Sequence, residues 1–192
     1  MWALVENNQV TQVYTRPKAI TIGDVSYPQN IFMLWSSDEL EAIGIYEVVV
    51  DNSNFKNPSY YINTNQSFDF ANDVVTASYG TATAKNLDDT TDPDTGDLTH
   101  GLKWNHNQVI INQAYGLLQP SDWYVVRESE NGTAIPTDWD TWRESIRTTY
   151  QSQVTDINAC TTVPELQALF TPVGNPPVAP LPQFPPSPDQ TS

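Results

Sequence analysis

A chain of 192 residues carrying a net charge of −15 is long enough for one ordinary domain or two small ones. Its charged fraction is only 16%, so the acidity reflects a scarcity of Lys and Arg more than a surfeit of Asp and Glu. Phosphate contacts need clustered basic side chains, so nucleic acid is excluded as an expected partner. No apolar run approaches the roughly 18 residues of a membrane span, so no membrane contact is expected. The first residues lack the basic region, apolar core and cleavage site of a signal peptide.

Residues 2–6 and 9–14 are β-like runs around Asn7-Asn8, a pair that tolerates positive φ and suits a two-residue hairpin turn. Arg16-Pro17 ends that hairpin, and residues 20–22 and 25–27 form a second short pair about Gly23-Asp24. Ser36 with Glu39 makes a capping box, predicting a short helix that stops at Gly44. Residues 45–50, 60–63, 67–71 and 74–85 are further strand candidates, with Asn72-Asp73 as another hairpin signal. Residues 1–85 therefore predict a small, mostly antiparallel β domain with one short helix.

Residues 86–98 break the pattern. Asp88, Asp89, Asp92, Asp94 and Asp97 invite a calcium reading, but Gly96 stands one position early for an EF-hand and no Glu closes the loop. A solvated acidic linker is expected instead. Thr99 is placed to cap a helix through about Gly116, with Leu102, His106, Val109 or Ile110, Gln113 and Leu117 on one side. His100 and His106 stand about 240° apart around such a helix, so they do not converge on one metal.

Pro120-Ser121-Asp122 predicts a turn, followed by a short β-like run at Trp123–Val126 and a polar loop. Pro136 fits a first helical turn, and Thr137 with Asp140 reads as a capping box. Trp139, Trp142, Ile146, Tyr150, Val154 and Ile157 then recur at helical steps, predicting a long helix that packs on the 99–116 helix as a hairpin. Asp122, Asp138 and Asp140 could be pictured as glycosidase carboxylates, but at a turn and a helix start they read as caps. Thr162 with Glu165 is a third capping box, opening a last helix to Phe170; Cys160 reads as a small buried thiol.

Eight of the 15 prolines fall between Pro172 and Pro188. Such a tail favours polyproline II, in which Val178, Leu181 and Phe184 share one edge. It is expected either to fray or to press those side chains onto a neighbouring subunit. The predicted fold class is thus α+β: a β-rich domain (1–85), the linker (86–98), a helical hairpin domain (99–170) and a Pro-rich extended arm (171–192). No catalytic motif stands out, so neither enzymatic activity nor a cofactor is expected.

The order Leu117-Leu118, Pro120, Asp122-Trp123, Ile135-Pro136, Trp139, Trp142-Arg143 and Ile146-Arg147 resembles small tail proteins of tailed bacteriophages. These include tail (fibre) assembly chaperones and related virion proteins of marine phages. A weaker similarity lies at residues 1–17 and 35–48. The resemblance implies a protein made in the host cytoplasm that acts through contacts with other phage tail or virion proteins, oligomeric in the particle. The β domain and the arm direct the expectation to a structural component of the virion tail, baseplate or fibre attachment. A non-virion assembly chaperone is the alternative. Trp123, Trp139, Trp142, Arg143, Ile146, Arg147, Val178, Leu181 and Phe184 are the candidate packing and interface residues.

Overall fold

Two asparagine-led turns set the pairing in the first part of the chain. In the computed structural model, which describes residues 1–190, Asn7 and Asn8 have φ of 52° and 60°, and Asn72 and Asp73 have 53° and 60°. Left-handed conformation at both central residues gives a turn whose twist matches that of the flanking strands. Accordingly β1 (Trp2–Glu6) pairs antiparallel with β2 (Gln9–Tyr14). A second short ribbon, β3 (Ile20–Ile22) and β4 (Val25–Tyr27), turns at Gly23. Two short helices follow, α1 (Ile31–Leu34) and α2 (Ser37–Glu41), where one was expected. The Ser36 capping box is present: Glu39 N donates to Ser36 Oγ, and Ser36 N to Glu39 Oε2.

The chain is mixed α+β and folds as two compact units, Met1–Thr83 and Ala84–Ser192. In the first, β5 (Ile45–Asp51) joins β1, then come β6 (Tyr61–Ile62), β7 (Gln66–Ala71) and β8 (Val74–Tyr79). The short β9 (Thr83–Ala84) marks the end of this unit. The described residues form a five-stranded sheet in the order β2-β1-β5-β8-β7. It is mostly antiparallel, with one parallel pair that the sequence did not single out: β5 and β8, with Val48 opposite Val75. The alternating strand pattern reads the same in either direction, and only the route of residues 52–65 decides which edge the β7–β8 hairpin joins.

The sheet curls until its outer strands, β2 and β7, come into contact. Period-two alternation then gives each face its own core. Ala3, Val48, Val75 and Ala77, with Val5, Val13, Phe68 and Phe70, pack on one face. Leu4, Tyr14 and Ile45 pack on the other with Ile20, Phe32 and Leu40 of the ribbon and helices. Gly44 makes the close join before β5. Its φ is +81°, and a Cβ there would meet Val5 O at 2.9 Å.

The second unit begins with the residues read as a solvated linker. They instead fold into a small ribbon, β10 (Thr90–Thr91) against β11 (Leu98–Thr99). Asp92 Oδ1 accepts from the backbone of Asp94 and Thr95 and so builds the turn locally, a tie that composition alone does not reveal. α3 (Leu102–Leu118) starts at Gly101, not Thr99. Its first N–H groups are met by backbone carbonyls: Leu102 N donates to Asn86 O, and Lys103 N to Leu87 O. Gly101 lies so close to Asp88 and Leu87 that a Cβ would collide with their backbone.

α4 (Asp122–Asn131) replaces the expected β-like run at 123–126. Four apolar residues with no strand beside them have no ladder to join. Pro120 and Asp122 provide a helix start, and Gly132 (φ 74°) a left-handed stop. α5 (Thr137–Ala159) begins one residue after Pro136, so Thr137 is its first residue and not its cap. α6 (Val163–Phe170) has the expected Thr162 capping box. Asn107 Nδ2 donates to Asn158 Oδ1 at one end of the α3–α5 pair, and Arg143 reaches Leu118 O at the other. The two helices are therefore antiparallel.

Candidate functional site

Leu118, Ser121, Asp122 and Arg143 converge where α3 ends, α4 begins and α5 starts its second turn. Arg143, only 4% exposed, sits at the centre. Its guanidinium donates to Leu118 O at 3.0 Å, to Ser121 Oγ and to Asp122 Oδ1 at 2.8 Å. A cation at the last turn of α3 meets the negative end of that helix, and Asp122 lies at the positive end of α4. The planar fork of Arg suits three acceptors from three directions. Asp122 is thus a clamp residue, half-exposed and paired.

Outward from this clamp runs a chain of aromatic contacts. Trp123 stacks on Tyr124 with centroids 3.9 Å apart, Tyr124 lies 5.6 Å from Trp139, and Trp139 meets Trp142 edge-on at 5.4 Å. Arg127 stands about 5 Å above both Trp123 and Tyr124, and donates to Ala134 O at 3.0 Å. Trp142 and Ile146 are buried with Ala114, as their helical spacing implies. Trp123 is 53% exposed, as are Val125 and Val126 to similar degree, and none of α4's described residues is buried. Arg147 points to solvent and reaches only Glu144, at 3.5 Å.

The Pro-rich segment lies against its own unit. Leu181 is 3% exposed, and Phe184 packs on the Trp142–Ile146 cluster. Trp142 Nε1 donates to Pro185 O at 3.2 Å, Gln153 Nε2 to Pro182 O at 2.6 Å, and Leu181 N to Leu169 O at 3.0 Å. This corrects the expected common edge of Val178, Leu181 and Phe184: Val178 is exposed and pairs with Val173 in a turn. Sequence spacing gave the three a common edge, but the turn takes Val178 off it. Residues 191–192 of that arm lie outside the described residues.

Beside this segment is a cavity of about 370 Å³, lined by His106, Gln113, Gln153, Phe170, Leu181 and Phe184 among others. His106 stacks on Phe170 at 4.3 Å, and burial holds its imidazole below the ordinary range. Gln153 is buried, and its Oε1 has no hydrogen-bond partner among the described residues. His100 lies elsewhere, stacked on Trp104 with its Nδ1 2.9 Å from Asp89 Oδ2. The Gly101 N–H bond and His100 hold the Asp89 carboxyl below its usual range. Among the described residues no group of three or more His, Cys, Asp or Glu is placed to hold a metal ion. No helix of the described residues is long and apolar enough to cross a membrane.

No family model, curated protein or solved structure matches this chain. The reading of the site therefore rests on its own geometry. Arg127 and the Trp123–Tyr124 stack were not paired in the sequence reading. The four-residue spacing of Trp123 and Arg127 signals the contact once that segment is taken as helical.

Proposed function

We propose that the chain is a contact protein of a tailed-bacteriophage particle, a structural component of its tail, baseplate or fibre attachment. The observation that carries this reading is α4. Its outward Trp123, Val125 and Val126 are exposed, while its root is fixed by the buried Arg143 clamp. A firmly mounted helix that exposes a Trp and two Val side chains has features of a protein contact site. The residues of the phage-tail resemblance both build the mount and supply Trp123. The protein acts by holding other tail proteins, without catalysis.

Assembly chaperone is the second reading, and the docked tail favours it. With Leu181 and Phe184 already seated on their own unit, the tail is not a free arm for permanent attachment. Quantitative mass spectrometry of purified particles separates the two. A stoichiometric signal supports the structural role, and presence in lysate with absence from particles supports the chaperone. Normal particle yield after deletion of the gene overturns both. Val126→Asp should lower incorporation into particles without changing the melting of the free protein.

A further inference from the structure

We infer that the second unit contains a polyproline-recognition groove, filled in the isolated chain by its own tail and open to the tail of a second copy in an assembly. Polyproline segments lack many N–H groups but present their carbonyls, so a reader of such segments must supply donors and apolar slots. This groove supplies both. Trp142 Nε1 and Gln153 Nε2 donate to the carbonyls of Pro185 and Pro182. Leu181 and Phe184 stand three residues apart, one turn of polyproline II, and both fill apolar ground. A carbonyl only accepts, so the bond to Pro182 also fixes which end of the Gln153 amide faces the tail.

Exchange between copies needs a hinge and an exchanged segment that adds no charge of its own, and both are present. The turn from Val173 to Val178 is closed by two backbone hydrogen bonds, of 2.9 and 3.0 Å, with both side chains exposed. Opening it frees the residues between α6 and Pro180 to span up to about 30 Å. Residues 172–188 carry no charge, so the exchanged segment itself adds nothing to the repulsion between two copies of net charge −15. Swapping an identical element between identical grooves adds no new interface chemistry. The inference stands or falls independently of the particle assignment.

The test uses full-length chains and a fluorescent peptide of residues 177–190. In the variant Leu181→Ser/Phe184→Ser the cis tail no longer competes, so the peptide should bind at least about tenfold tighter than to the unaltered chain. Adding Trp142→Phe, which removes the indole donor but keeps an aromatic ring, should weaken that binding about tenfold. A peptide with serine at the Leu181 and Phe184 positions should not bind; equal binding of the two peptides, or no saturable binding of either, overturns the groove. For exchange, the tail variant is mixed with a groove variant, Trp142→Phe/Gln153→Leu, or Trp142→Phe alone if the double variant fails to fold by circular dichroism. Sedimentation should show a one-to-one complex in the mixture and monomers for each variant alone. Monomers in the mixture overturn the second copy as occupant.

Discussion

Replacing Arg143 with Ala tests the clamp from which α4 projects. The side chain makes two hydrogen bonds to neutral acceptors, Leu118 O and Ser121 Oγ, and one ion pair with Asp122. The guanidinium is charged, so each of these two bonds contributes about 1.5 kcal/mol net, the low end for a charged donor. The ion pair adds at most about 1 kcal/mol, because the Asp122 side chain is half exposed and water screens it. Leu118 O keeps a donor in Ser121 Oγ, at 2.8 Å, so the desolvation penalty of an orphaned carbonyl is avoided. Loss of a nearly buried aliphatic stem adds a further part, giving about 3–5 kcal/mol in all. Urea unfolding followed by both circular dichroism and tryptophan fluorescence reads this directly, with a two-transition fit because the chain has two units. Asp122→Asn should cost under about 1 kcal/mol. A loss below about 1 kcal/mol for Arg143→Ala, or an equal loss for Asp122→Asn, refutes the clamp as the mount of α4.

Other outcomes follow from the same contacts. Trp142→Ala should cost about 3–5 kcal/mol in urea melts, since it empties a buried aromatic site and removes the donor to Pro185 O; a change under about 1 kcal/mol refutes its burial. Gly44→Ala should destabilise the first unit by about 1–3 kcal/mol, through its left-handed φ and the approach of Val5 O, and an unchanged melting temperature contradicts that geometry. Burial depresses the His106 pKa in the folded state, so as pH falls the unfolded chain takes up that proton first. The corresponding stability is present above the unfolded value near 6.5 and is lost as pH falls through the folded value. His106→Phe should flatten the stability profile between pH 7 and 5, and an unchanged slope excludes His106 as its source.

What the sequence disclosed was chemistry confined to a few residues. Asn7-Asn8 and Asn72-Asp73 are turns because their own backbones tolerate positive φ, and Ser36 and Thr162 cap because Glu39 and Glu165 lie one helical turn on. The stripe of Trp142, Ile146 and Ile157 was legible for the same reason, since a helix repeats its environment. The parallel pairing of β5 with β8 was hidden because it depends on the path of a long connection. The helical state of Trp123–Val126 depends on Arg143, twenty residues away, as much as on Pro120 and Gly132. Docking of Leu181 and Phe184 was hidden too: spacing defines a shared edge but not the surface that edge meets.

The contact between β2 and β7 has a further effect on how the molecule behaves at high local concentration. An open sheet edge is a template on which another chain can add a strand, about 4.8 Å away. Here part of each outer strand lies near the opposite outer strand, although the two are not hydrogen-bonded neighbours. Along that part, room for an arriving strand requires the curl to open around the cluster that includes Val13, Phe68 and Phe70. Curvature therefore shields part of the five-stranded sheet's edges without the lysines that commonly protect exposed edges, residues this chain almost lacks.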